Sequence, residues 1–289
     1  MLTIVATESR FVLTLACPDR KGIVAAVSHF LLAHHCNIVD SAQFGDASNG
    51  RFFLRMSFQS ERPASRDELT ATFAPIAQDF AMESTFHDVA RKVRTLIMVS
   101  QFGHCLVDLL YRHRIGALPV EVAGIVSNHR DFEDVAVAHH IPFTYLPVTR
   151  DNKREQEDAL LQLVGALNVD LVVLARYMQI LSARVCNPLH GRIINIHHSF
   201  LPSFQGARPY SQAHARGVKL IGATAHYVTP ELDEGPIIEQ AVERVTHALS
   251  PEDFAGVGRD IESVVLARAV KWHAEYRILL NGRRTVVFR

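Results

Sequence analysis

Asn195-Ile196-His197-His198-Ser199-Phe200-Leu201-Pro202 is the stretch that decides how the chain reads. Arg192-Ile193-Ile194 precedes it, and this β-branched run predicts a buried strand over 192–196. Residues two apart on a strand share a face, so the Asn195 amide and the His197 imidazole are delivered together. Thirty-eight positions after Asn195 comes Leu232-Asp233-Glu234-Gly235-Pro236, a carboxylate in a turn-forming run. Amide, imidazole and carboxylate suit acyl chemistry on a small carbonyl. An amide N–H stabilises a developing oxyanion, an imidazole donates a second bond or shuttles a proton, and a carboxylate positions a nucleophile.

The flanks alternate strand and helix. Apolar runs at 93–100, 120–126, 143–146 and 171–174 read as strands, and 104–113, 131–139 and 152–167 as helices. This order predicts an α/β layer architecture with a mostly parallel sheet, whose ligands sit beyond the carboxyl ends of the strands. Strands at 220–228 and 237–242 flank Asp233. Ser250-Pro251 opens a helix, an amphipathic helix is expected over 259–279, and 285–288 is a last extended piece. Upstream, the order β-α-β-β-α-β over 11–89 is the ferredoxin-like α+β pattern, with short extended pieces at 36–39 and 42–44.

The 289 residues are enough for two domains, taken here as 1–90 and 91–289. Thirty basic and thirty acidic residues give a formal net charge of zero, which argues against bulk affinity for nucleic acid or a membrane surface. The four cysteines, Cys17, Cys36, Cys105 and Cys186, form no C-x-x-C pair, and no H-E-x-x-H is present, so no metal is expected. The first ten residues lack a basic and an apolar leader region, and no apolar run is long enough to span a bilayer, so a cytoplasmic protein is expected.

Asn-x-His-x-Ser-x-Leu-Pro with a later Asp-x-Gly-Pro resembles the folate-dependent formyltransferase family, which takes a formyl group from 10-formyltetrahydrofolate; the likeness covers roughly residues 93–289. It implies a Rossmann-like catalytic domain, no cofactor beyond the folate substrate, and catalytic roles for Asn195, His197 and Asp233. It places the pterin slot against Met178, Gln179 and Leu181 on one side, and Val228, Thr229 and Leu232 on the other. Gln179 departs from the arginine common in transformylases. The N-terminal region and the doubled His197-His198 narrow the resemblance to the branch that gives the formyl group to water, supplying formate for purine synthesis and balancing one-carbon pools. The alternative is transfer to an amine such as glycinamide ribonucleotide. Against it stands Ser100-Gln101-Phe102-Gly103-His104-Cys105-Leu106, which replaces the Gly/Asn/Ser-rich loop that holds a phosphate in such enzymes. Thr14 to Val24 resembles the start of an ACT domain, which implies a homo-oligomer and makes Asp19 and Gly22 candidate contacts for an amino-acid effector, or merely a helix cap. The roles of His198 and His226 are left open by the sequence, either being a structural histidine or part of the site.

Overall fold

The computed structural model describes residues 9–202 and 209–289. They divide into two units. The first runs to Lys92 and also takes in Tyr276–Asn281 and Val286–Arg289; the second holds Val93–Glu275 and Gly282–Thr285. The division expected at 90/91 therefore lies at 92/93, and part of the C-terminus returns to the first unit.

The first unit contains β1 (Ser9–Pro18), α1 (Ile23–Ala33), β2 (Cys36–Asp46), β3 (Arg51–Ser60), α2 (Arg66–Asp79) and β4 (Glu83–Asp88). Its antiparallel sheet has the order β2-β3-β1-β4. Strand alternation sends Phe11, Leu13 and Leu15 of β1 and Leu54, Met56 and Phe58 of β3 to one face, where they pack with Ile23, Val27, Leu69 and Phe73 of the helices. On the other face Ala16 and Phe53 pack with Val286 and Phe288. Asn281 ties the C-terminal piece down: its amide donates to Asp46 Oδ2 at 2.7 Å and its carbonyl accepts from Asn49 Nδ2 at 2.7 Å. The two extended pieces expected at 36–39 and 42–44 are one strand, β2, with a register shift between Ile38 and Asp40.

The second unit contains β5 (Val93–Val99), α3 (His104–Arg114), β6 (Val120–Ser127), α4 (Glu133–Ala138), β7 (Phe143–Tyr145), α5 (Lys153–Ala166) and β8 (Leu171–Leu174). It continues through α6 (Ala183–Cys186), β9 (Ile193–His197), α7 (Pro209–Ala215), β10 (Leu220–Tyr227), β11 (Ile237–Arg244) and α8 (Pro251–Ala274). The seven-stranded sheet has the order β11-β10-β9-β8-β5-β6-β7. Strands β5 to β9 run parallel, and β10 and β11 are antiparallel additions. All four residues of β8 are buried, as expected of a strand covered on both faces.

Helix α8 differs from expectation at both ends. It is continuous from Pro251, with Ser250 and Asp253 forming a reciprocal capping box. It stops at Ala274 rather than near Leu279, because Tyr276 takes a positive φ of 54° that no helix can continue through. Leu279 instead lies in β12 (Ile278–Asn281), which pairs with β13 (Arg284–Val287). None of the described helices is long and apolar enough to cross a membrane.

Candidate active site

The carboxyl ends of β8 and β9 open onto a cavity of about 310 Å³. Asn195, His197 and Asp233 line it, as do Met178, Gln179, Leu181, Val228, Thr229 and Leu232. All nine residues expected to form the site are thus brought to one place. Apolar side chains dominate the 178–181 and 228–232 walls, while the imidazoles, the amide and the carboxylate share the rest.

Strand β9 sets the polar part. Asn195 and His197 alternate with buried Ile194 and Ile196. Antiparallel pairing places Asn195 opposite His226 and His197 opposite Thr224. His226 Nδ1 lies 2.9 Å from the Tyr227 carbonyl, which only accepts, so Nδ1 carries the proton. The bare Nε2 then accepts from the Asn195 amide at 3.2 Å. This fixes the amide with its nitrogen toward His226 and leaves one N–H for another acceptor. His226 is therefore part of the site and is 2% exposed.

The loop between β10 and β11 brings in Asp233. Its Oδ2 lies 3.2 Å from His197 Nδ1 and its Oδ1 3.6 Å from His226 Nε2. Burial alone would raise the Asp233 carboxyl, but the hydrogen bond from His197 Nδ1–H and the nearby imidazoles overcome it and hold the group well below the usual carboxylate range. The far nitrogen of His197 lies 2.9 Å from Ser199 Oγ, so with a proton on Nδ1 it accepts from that hydroxyl. The Asp233 backbone has φ of 58°, the left-handed region, which aspartate tolerates better than most residues. Gly235 makes the turn possible. A Cβ there would sit 1.7 Å from the Tyr227 carbonyl oxygen. Tyr227 N–H donates to the Pro236 carbonyl at 2.9 Å, closing the loop base.

Other side chains hold the walls. Thr224 Oγ1 donates to the Ser199 carbonyl at 2.9 Å and accepts from Leu201 N–H at 3.1 Å, locking the segment after His197. Buried Glu157 accepts from both the N–H and the hydroxyl of Ser182, fixing the end of the 178–181 wall. His198 stacks on His197 with ring centroids 5.0 Å apart and lies 6.4 Å from Tyr210.

Three groups with ligating atoms, His104, Cys105 and Glu262, lie within 4.8 Å of one another. Their chemistry is that of an ion-pair cluster. Glu262 is 1% exposed and already engages His104 Nε2 at 2.8 Å, Tyr210 O–H at 2.6 Å and Arg176 Nε at 3.3 Å. Burial and the nearby Glu262 push the Cys105 thiol far up, away from the thiolate a metal would need. The sequence had not pointed to this cluster, whose members lie on four separate segments.

In the first unit, Gly22 is the N-cap of α1 with φ of 97°, a conformation that favours glycine. Asp19 does not cap the helix: no side chain makes a bond at that N-cap. Both residues are exposed in the turn before α1.

With this geometry in view, the comparisons with known proteins are specific. The family model described as formyl transferase matches residues 93–270. The formyltetrahydrofolate deformylase of Corynebacterium sp. strain P-1 is 50% identical over 283 residues, spanning 98% of this chain and 99% of that protein. The crystal structure of formyltetrahydrofolate deformylase from Burkholderia mallei superposes with a TM-score of 0.93 at 52% identity, covering 97% of this chain and 100% of that one. A glycinamide ribonucleotide transformylase from Symbiobacterium toebii is more distant: TM-score 0.65 and 31% identity, over 71% of this chain and 97% of that one. The chain accordingly belongs to the formyl transferase family and, within it, to the formyltetrahydrofolate deformylases.

Proposed function

We propose that the chain hydrolyses 10-formyltetrahydrofolate to formate and tetrahydrofolate, and that Asn195, His197 and Asp233 carry the reaction. The observation that supports this most is the cluster of Asn195, His226, Asp233 and His197 at the polar wall of an otherwise apolar cavity, with Asn195 bound to His226 and His197 to Asp233. The free N–H of Asn195 faces the formyl oxygen and stabilises the oxyanion. Asp233, held ionised, orients His197 and the attacking water. The water oxygen bonds to the formyl carbon and its proton passes to the Asp233–His197 pair. The bond from that carbon to folate nitrogen then breaks as the nitrogen takes the proton back. Met178, Leu181, Val228 and Leu232 supply the apolar walls for the pterin, with Gln179 and Thr229 at its polar edges. No step of this scheme calls for a metal. Formate release from 10-formyltetrahydrofolate in buffer alone tests the reading. Turnover that appears only on adding an amine would refute it, and a metal-reversible loss on chelation would refute the metal-free scheme.

The first unit is proposed to serve assembly and control. Its edge strand β2 exposes Ile38, Val39 and Phe44, which supports pairing with a second copy. The Asp19–Gly22 turn is proposed as the place of an amino-acid effector; a flat rate across a panel of amino acids would leave the unit a role in assembly only. All four cysteines are free and buried, in keeping with a cytoplasmic location.

A further inference from the structure

Arg176 stands where the chain leaves β8, two residues before Met178, and it lines the catalytic cavity. Its backbone has φ of 65°. A long side chain in the left-handed region costs free energy that glycine would not incur, and such strain persists only where the surroundings impose it. The side chain is 10% exposed, and its Nε lies 3.3 Å from Glu262 Oε2. Burying a guanidinium is itself unfavourable unless a carboxylate accompanies it. Glu262 is that partner, and it is held by three elements at once, through His104 at the start of α3, Tyr210 in α7 and its own helix α8. Tyr210 packs closely against α8, since a Cβ at Gly258 would fall 2.1 Å from its ring.

The neighbouring segment after β5 is closed in the same way. Ser100 Oγ donates to Asn128 Oδ1 at 2.7 Å and accepts from Met178 N–H at 3.0 Å. His104 is bound to Glu262, and Gly103 is pressed on Phe132 so closely that a Cβ would lie 2.2 Å from the ring. Ser100 and His104 are thus engaged with their neighbours, while Arg176 is ion-paired with Glu262 and keeps Nε and Nη1 without a hydrogen-bond partner. A distant relative with the same fold is named as a transformylase, so the fold itself accommodates an acceptor larger than water.

We propose that Arg176, ion-paired with Glu262, is the residue that determines acceptor specificity: it closes the catalytic cavity to amines and leaves room for water alone. The inference rests on the hydrolase reading above. With an amine admitted, its nitrogen would bond to the formyl carbon, the bond from that carbon to folate nitrogen would break, and the amine proton would pass to that nitrogen. The products would be an N-formyl amine and tetrahydrofolate.

The test is product partition. The intact protein and its Arg176→Gly, Arg176→Lys and Glu262→Gln variants are given 10-formyltetrahydrofolate with glycinamide or hydroxylamine. Tetrahydrofolate, formate and N-formyl amine are each measured. The intact protein and Arg176→Lys should yield formate with little N-formyl amine. Arg176→Gly should raise the ratio of N-formyl amine to formate at least tenfold, and Glu262→Gln should raise it in the same direction. Should Arg176→Gly fail to fold by circular dichroism, Glu262→Gln, which keeps the volume and removes the charge lock, decides alone. An unchanged ratio in the folded variants overturns the proposal, and so does loss of both products, which would make Arg176 part of the catalytic machinery. Absence of tetrahydrofolate release from the intact protein would instead defeat the hydrolase reading.

Discussion

Gly235→Ala should disable the enzyme although the glycine has no part in the chemistry. The added methyl would start 1.7 Å from the Tyr227 carbonyl oxygen and 2.8 Å from its carbonyl carbon. Real Cβ atoms do not approach other heavy atoms within 3.0 Å, so the turn or β10 must shift by more than 1 Å. Both obstacles are backbone, fixed by the Tyr227 to Pro236 bond and by His226 Nδ1 donating to that same carbonyl. The displacement therefore falls on Asp233, two residues before the glycine, and on its contacts with His197 and His226. A misplacement of about 1 Å in a catalytic constellation costs on the order of 10²-fold, or about 2.7 kcal/mol of barrier. Formate release at saturating 10-formyltetrahydrofolate is the assay, with circular dichroism to verify folding. Gly165→Ala is the control, because a Cβ there meets open space near the end of α5; it should leave the rate unchanged and the helix slightly more stable. A Gly235→Ala protein within threefold of the parent rate would refute the reasoning.

Asn195→Ala should lower the rate by about 10²–10³, the usual loss of one oxyanion donor, and Asp233→Asn should be at least as severe; stopped assays with a folate-binding control check both. Burial pushes the His273 imidazole down to about 4 from its ordinary 6.5, so the unfolded chain binds a proton there that the folded chain does not. Stability should therefore fall as pH drops from 6.5 toward 4, by roughly 3 kcal/mol from this group, and in a denaturant series His273→Phe should show a shallower slope over that window than the parent. Asn281→Ala removes a hydrogen-bond partner of the buried Asp46 carboxylate and should cost about 1–3 kcal/mol in urea unfolding.

Much of the site was legible because it obeys local rules. The alternation Ile194-Asn195-Ile196-His197 marks a strand with two faces, and Asp233-Glu234-Gly235-Pro236 marks a turn, so the functional groups could be placed before their contacts were known. What escaped is what depends on distance along the chain or on a single dihedral. Nothing near Arg176 in sequence points to Glu262, and nothing in the letters at 176 or 233 announces a positive φ. His226 could be a core histidine or a site histidine until its cross-strand register with Asn195 was fixed. The apolar period of α8 carries on to Leu279, yet the backbone reverses at Tyr276, because a tertiary partner for the following strand outweighs helix propensity there.

The return of the C-terminus has a consequence for biosynthesis. Most of the first unit is synthesised before the catalytic region, but its second sheet face is completed by Val286 and Phe288, and Asp46 and Asn49 are joined by Asn281. Domains ordinarily fold as units while the rest of the chain is still being made. Here the unit begun before the catalytic region is finished after it: throughout elongation of that region Ala16 and Phe53 lack the cover of Val286 and Phe288. A nascent chain stalled before residue 276 would carry every strand of the β1–β4 sheet and still expose this apolar patch, which is the feature that chaperones and proteases use to judge a product unfinished.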